Sequence, residues 1–211
     1  MLLEEKNEMF NLELFINRQD LIWTKYDSLE QGLDILKSEK DFINNFDRYI
    51  IQTLEEIYEV SETYDPEEIM KELVDILMYL GTMYAIVREN AVTHCCPARY
   101  KVMYESNKEL STHFASQDFN ELTSTILFDL MSIRRLFGKR KWHKYSEELS
   151  DEQKLNTLDV MEENIRHSIK ATISYLLDYA AVEDIDSPFE YVEKLILEKQ
   201  DFVINLKGKN E

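Results

Sequence analysis

The scarcity of glycine and proline is the feature of this sequence that most constrains its fold. Only four glycines and three prolines occur in 211 residues, which leaves little material for tight turns. A chain with few turns runs in long elements, and apolar residues recur at helical spacing through most of this sequence. We therefore predict an all-α helical bundle, a single domain spanning residues 1–211, with no strands.

Seven or eight helices are predicted from this spacing and from helix start signals. Asp65 is a helix N-cap residue followed by proline at the first helical position, and Ser150 with Gln153 three residues later forms a capping box. The helices are expected over residues 3–27, 29–37, 41–62, 66–90, 100–113, 119–137, 150–181 and 187–207.

Charge and composition exclude several functional classes. The net charge of −18 argues against binding to nucleic acid or to anionic membranes. Cys95 and Cys96 are adjacent, so no disulfide framework is expected. The N-terminal MLLEEKNE is acidic where a secretory signal is basic, and the longest apolar run is interrupted by Asp75. We expect a cytoplasmic protein without a membrane span.

Four acidic residues flank a predicted helix break. Glu56 and Glu59 belong to the segment EEIYE, and Glu72 and Asp75 belong to ELVD, twelve residues further along. Residues three apart share one face of a helix. The break lies near residue 64, midway between Glu56 and Glu72. The sequence therefore predicts an antiparallel helical hairpin with its carboxylates facing one another.

Asp75 is the only charged residue from Leu73 to Val87. A helix that is apolar nearly all round is buried, and a buried carboxylate without a partner protonates or takes up a cation. We expect no basic partner for Asp75. With Glu56, Glu59 and Glu72 it forms a candidate site for Mg²⁺, with Mn²⁺ as the alternative, because oxygen ligands suit hard cations better than zinc. The other interpretation is an acidic hairpin whose glutamates are solvated.

The segments EEIYE and ELVD resemble the EExxE and ExxD signature of the all-α nucleoside triphosphate pyrophosphohydrolases, which include MazG-like enzymes and dimeric dUTPases. TLEEIYEV and KELVDILMYL are similar to the two metal-binding helices of that superfamily. The resemblance implies Mg²⁺-dependent hydrolysis of a nucleoside triphosphate, foremost a deoxynucleotide, to the monophosphate and diphosphate. Glu55 and Glu56 are then the catalytic candidates that orient or deprotonate water. The resemblance, together with the apolar Leu73–Val87 helix, also implies a homodimer.

Five other residues are candidates for substrate binding. The segment LFINRQDLIW resembles the first helix of dimeric dUTPases, which implies that Gln19 reads the base and that Trp23 borders it. Arg134 and Arg135 begin the basic stretch RRLFGKRKWHK, which is either a phosphate cradle or a solvated loop. Lys170 lies in a largely apolar segment and either serves an anion or extends to solvent.

Two further functional classes fit parts of the pattern. A ferritin-like carboxylate bundle needs Glu-x-x-His pairs, and none of the four histidines lies three residues after a glutamate. A catalytically inactive helical binding or regulatory protein is the second alternative, because the C-terminal EKQDFVINLKGKNE lacks the arginine of the dUTPase motif. Asp129 has three open interpretations, which are a hydrogen bond to a neighbouring helix, an ion pair with Arg134 or Arg135, and membership of the metal site.

Overall fold

Six helices make up most of the described chain, which confirms the predicted all-α class. The computed structural model describes residues 9–26, 33–94, 110–111, 118–136 and 149–207. Two short strands, β1 (Met9–Phe10) and β2 (Leu110–Ser111), pair antiparallel. The helices are α1 (Leu12–Tyr26), α2 (Glu39–Glu62), α3 (Pro66–His94), α4 (Phe119–Leu136), α5 (Asp151–Val182) and α6 (Pro188–Lys207).

The connection between α2 and α3 is as short as the sequence predicts. The backbone N–H of Thr63 donates to the carbonyl of Glu59 at 3.2 Å, which closes the last turn of α2. The carboxylate of Asp65 accepts from the N–H of Glu67 at 3.0 Å and caps α3, which begins at Pro66. Only residues 63–65 join the two helices, so α2 and α3 form an antiparallel hairpin.

Residues 33–37 form turns, so the helix predicted over residues 29–37 is wrong where the chain is described. Asp34 accepts from the N–H groups of Leu36 and Lys37, a side-chain turn that competes with helix formation. The segment is also held to the end of α3, since His94 Nε2 lies 2.8 Å from Asp34. The buried Asn90 amide donates to a backbone carbonyl of the same segment.

The chain before α1 also differs from prediction, because α1 begins at Leu12 and not at residue 3. The side chain of Asn11 accepts from the N–H of Leu14 at 2.9 Å and caps the helix there. Before this cap the chain enters the β1–β2 pair, whose second strand lies at residues 110–111 within the helix predicted over residues 100–113. By contrast, the capping box of Ser150 and Gln153 is present at the start of α5.

Helix α3 is the centre of the fold. Every residue from position 80 to position 87 is buried, because α1, α2, α5 and α6 all pack against α3. The expected cover of its apolar surface is therefore present within one chain. The homodimer itself stays a prediction.

Four helices form a ring around the core, in the order α2, α3, α5 and α4. Phe119 at the start of α4 packs against Tyr175, whereas Asp129 further along contacts Ser168, so α4 and α5 are antiparallel. Tyr84 on α3 likewise donates to Glu162 on α5 at 2.5 Å. Within the described ranges, no helix combines the length and the apolar composition needed to cross a membrane.

A close approach between α1 and α3 depends on Gly81. A Cβ atom at this position would lie 2.7 Å from Phe15 Cζ and 2.9 Å from Gln19 Cγ. Both side chains are buried, so neither has open space into which it can move. Glycine in the middle of a helix costs backbone entropy, and here it allows the two helices to pack.

We expect Gly81→Ala to destabilise the protein despite the higher helix propensity of alanine. Propensity favours alanine by about 1 kcal/mol, whereas overpacking a core typically costs about 1–3 kcal/mol. The free energy of unfolding should be measured by urea titration in the wild-type and Phe15→Leu backgrounds. A smaller loss in the Phe15→Leu background is expected, since the ring tip is removed. A stabilised Gly81→Ala variant would contradict the close approach.

Candidate metal centre

Three of the four predicted carboxylates converge between α2 and α3. Glu56, Glu59 and Glu72 each place one carboxylate oxygen within 4.8 Å of the other two. Glu56 and Glu59 share a face because they are three residues apart on α2. The short turn brings Glu72 of α3 opposite them. We call these three residues the carboxylate triad.

The electrostatics of the carboxylate triad favour a bound positive charge. Burial, a hydrogen bond between protonated Glu56 and Glu72, and the negative charges of Asp75, Glu59 and Glu72 raise the pKa of Glu56 to about 8. Burial also raises the pKa of Glu72, with Asp75 and Glu59 adding to the shift. A site that takes up a proton near neutral pH is one in which a cation relieves repulsion.

Asp75 lies next to the carboxylate triad and has a basic partner, contrary to expectation. Lys199 Nζ lies 2.6 Å from both carboxylate oxygens of Asp75, in a partly buried pair. Lys71, one helical turn before Asp75, pairs with Glu67 and Glu68 instead. Burial raises the pKa of Asp75 even though Lys199 acts in the opposite direction. The role of Asp75 as a fourth metal ligand stays a prediction.

The position of Lys199 depends on how α6 is fastened to α1. The neighbouring Gln200 is fully buried and donates to the carbonyl of Phe15 at 3.1 Å. Arg18 of α1 donates to Gln200 at 2.9 Å and forms an ion pair with Asp201. These contacts hold Lys199 against Asp75. The pair of Lys199 and Asp75 could not be predicted from residue spacing within a helix, because the two residues are 124 positions apart.

Gln19, the predicted base reader, is fully buried between α1 and α3. Its amide nitrogen lies 3.0 Å from the sulfur of Met78, and its oxygen accepts from the hydroxyl of Thr82 at 3.3 Å. Both polar ends of the side chain are thus directed at α3, one to two turns beyond Asp75. Trp23 lies one turn further along α1, and its side chain falls outside the described part of the structure.

The predicted phosphate ligands Arg134 and Arg135 lie in the last turn of α4, close to α2. Arg134 forms an ion pair with Asp47 of α2 at 2.8 Å, which gives it a structural partner between helices. Arg135 is exposed. The rest of the basic stretch, from residue 137 to residue 144, lies outside the described residues.

Asp129 hydrogen-bonds a neighbouring helix, which is the first of its three interpretations. It accepts from His167 Nδ1 at 2.9 Å and from the Ser168 hydroxyl at 2.8 Å, both on α5.

Lys170 lies on the same stretch of α5 and lines a surface pocket with Asp129 and His167. The structure therefore places Lys170 with this pair of residues and not among the neighbours of the carboxylate triad.

The carboxylate triad fits a hard divalent cation by its chemistry. Its donors are carboxylate oxygens only. Mg²⁺ and Mn²⁺ prefer such ligands, whereas zinc is bound mostly by cysteine and histidine. Magnesium is commonly held by a few carboxylates together with water and phosphate oxygens. Burial is the largest cause of the raised pKa of Glu56, and the negative charges of Asp75, Glu59 and Glu72 add to it; a bound cation would neutralise those charges.

Comparison with known proteins gives no relative. No protein-family model, no curated protein and no solved structure matches this chain.

We predict that cation binding removes a pH-dependent loss of stability. The ordinary pKa of glutamate is 4.5, and that of Glu56 in the fold is about 8. The stabilisation from its bound proton is therefore fully present below about pH 4.5 and is lost as the pH rises through about 8. The melting-temperature difference between Mg²⁺ and EDTA should widen from about pH 5 to about pH 8.

Glu56→Gln should flatten this dependence because glutamine does not titrate. Glu62→Gln serves as the control, since Glu62 is exposed on the same helix and outside the carboxylate triad. A difference between Mg²⁺ and EDTA that stays constant with pH would contradict exchange of a proton for a cation.

Proposed function

We propose that this protein is an Mg²⁺-dependent nucleoside triphosphate pyrophosphohydrolase. It would hydrolyse a (deoxy)nucleoside triphosphate between the α and β phosphates, giving a monophosphate and diphosphate. The observation that carries the proposal is the convergence of Glu56, Glu59 and Glu72. These residues come from the two segments whose spacing resembles the signature of the all-α pyrophosphohydrolases.

The position of each acidic residue suggests its role in the proposed reaction. Glu56, Glu59 and Glu72 would hold Mg²⁺, or Mn²⁺, with Asp75 beside them. The bound ion would supply Lewis-acid polarisation of the phosphate and a water of lowered pKa. Glu55 is exposed next to the carboxylate triad, where its carboxylate can orient water or accept its proton.

Negative charge on the substrate has to be balanced locally in a protein of net charge −18. Lys199 is a cation at the edge of the acidic site, where it pairs with Asp75. Its ammonium group can interact with phosphate oxygens while the carboxylates are occupied by metal. In the dUTPase-like form of the proposal, Gln19 and Trp23 recognise the base. Gln19 would then have to break its hydrogen bonds to Met78 and Thr82 and form new ones to the base.

The alternative is a catalytically inactive helical binding or regulatory protein that keeps the hairpin. The contact between Lys199 and Asp75 favours it, because an ammonium group already neutralises the carboxylate proposed as the fourth ligand. In that case the contact is a structural ion pair, and removing one partner leaves the other unpaired.

A pyrophosphate assay with a panel of nucleoside triphosphates and Mg²⁺ tests the proposal. We expect turnover of at least one deoxynucleotide, and a loss of at least about 100-fold in Glu59→Gln and Glu72→Gln, the scale of a lost electrostatic group. Asp75→Asn should lose activity to a similar extent but keep its metal-free melting temperature if Asp75 is a ligand.

One result would decide against the enzyme, and a second would decide against Asp75 as a metal ligand. Absence of pyrophosphate with every nucleotide, in protein whose melting temperature rises with Mg²⁺, favours the inactive alternative. A much lower melting temperature of Asp75→Asn, with wild-type turnover where folded, assigns Asp75 to structure. Glu62→Gln controls for the loss of one exposed acidic group on α2.

We also propose that the protein forms a homodimer through α2 and α4. The ion pair of Asp47 with Arg134 sets the two helices side by side, and they are antiparallel because each neighbour in the ring reverses direction. Large apolar side chains, between 36% and 68% exposed, continue from this ion pair along both helices. They are Ile51, Leu54, Tyr58, Leu127, Phe128 and Met131.

A second copy is the occupant that fits this surface. Two antiparallel helices with matching apolar stripes can pack on the same pair in a twofold-related chain. Six large side chains form a substantial share of the ~800 Å² that each partner buries in a standard interface. Homodimer interfaces are also more apolar than other protein surfaces.

Light scattering should give a mass near twice 25.2 kDa at micromolar concentration. Phe128→Lys should weaken the dimer at least about tenfold, as expected for an aromatic residue at the centre of an interface. Phe202→Lys is the matched control, since Phe202 is 58% exposed on α6 and away from this surface. A monomeric wild-type protein, or equal effects of the two variants, would refute the dimer.

A further inference from the structure

A second polar site lies on α5, apart from the carboxylate triad. A surface pocket of about 520 Å³ is present there, within the range of about 300–1,000 Å³ typical of small-molecule sites. All but one of its described lining residues come from two turns of α5. They are Asp129, Glu163, Asn164, Arg166, His167 and Lys170.

One wall of this pocket carries a histidine whose ring is held in place. Asp129 is only 3% exposed and accepts hydrogen bonds from His167 Nδ1 and the Ser168 hydroxyl. A carboxylate accepts and does not donate, so Nδ1 of His167 carries the hydrogen. The remaining nitrogen, Nε2, is therefore the one available to a ligand.

The same wall carries two cations for which the described residues provide no ion-pair partner. Arg166 and Lys170 are four residues apart, so they share one face of α5. No ion pair or hydrogen bond joins either side chain to another residue in the described ranges. Like charges at this spacing disfavour a helix, and acidic residues outnumber basic ones by 42 to 24 in this chain. Within the pocket, the two cations balance the carboxylates of Asp129 and Glu163, which also line it.

We propose that this pocket binds the phosphate group of a small phosphate ester. Arg166 offers a planar fork of donors and Lys170 an ammonium group, which together match a dianion. His167 Nε2 adds a third contact from a fixed position. Asn164 and Glu163 lie on the same wall and can meet hydroxyl groups of the ester. The volume leaves room for an organic part beyond the phosphate.

This site does not depend on the proposed pyrophosphohydrolase activity. Its residues come from α4 and α5, whereas the carboxylate triad is on α2 and α3. An experiment in EDTA therefore separates the two, because without a divalent ion the carboxylate triad repels phosphate.

Binding of glycerol 3-phosphate to the full chain in EDTA tests the proposal, with uncharged glycerol as the comparison ligand. Isothermal titration calorimetry should show saturable binding of the ester and none of glycerol. Nitrogen-15 spectra of histidine-labelled protein should show a shift at His167. Arg166→Gln and Lys170→Gln should each weaken binding by about tenfold or more, the scale of a charge-assisted hydrogen bond.

Lys194→Gln is the matched control, since it makes the same change of charge at an exposed position of α6. It should leave the affinity unchanged, and circular dichroism should show that all three variants fold. Absence of saturable binding would overturn the proposal. So would an affinity that is insensitive to the Arg166→Gln/Lys170→Gln double variant, or one that falls equally in Lys194→Gln.

Discussion

The burial of α3 is the constraint on which the described structure depends. A helix that is apolar on every side has to be surrounded, and α1, α2, α5 and α6 supply the cover. Gly81 allows α1 to approach closely, and the three-residue turn before Pro66 fixes α2 against the first half of α3. The carboxylates of Glu72 and Asp75 therefore project from a rigid element whose position is set by packing.

That rigidity explains why the acidic residues remain crowded. The packed helices fix the backbone positions from which Glu56, Glu59 and Glu72 extend. Burial, the hydrogen bond to Glu72 and the neighbouring negative charges together raise the pKa of Glu56, so this group takes up a proton more readily than an ordinary glutamate. Crowding of this kind disfavours the folded chain, and proteins retain it chiefly at sites that bind cations or carry out catalysis. The neighbouring pair of Asp75 and Lys199 shows that even the fourth carboxylate attracts positive charge.

Local signals predicted the parts of the structure that local energetics determine. Asp65 and Ser150 cap helices where the sequence indicated, and the α2–α3 hairpin follows from the cap at Asp65. Residues 33–37 do not form the predicted helix, because the side chain of Asp34 accepts from two backbone N–H groups and because Asn90, far along the chain, holds the same segment. The partners of Asp75 and Gln19 are equally distant in sequence, so no periodicity within a helix could reveal them.

The contact between Asp75 and Lys199 also has a consequence for the order of folding. The α2–α3 hairpin is local and can close as soon as both helices have been synthesised, whereas Lys199 of α6 follows Asp75 by 124 residues. Contacts over such separations form late, because the entropic cost of closing the long loop is offset only after the intervening helices have packed. A nascent chain therefore presents its acidic hairpin before Lys199 exists, and the docking of α6 through Gln200 gives Asp75 its ion-pair partner as one of the last steps of assembly.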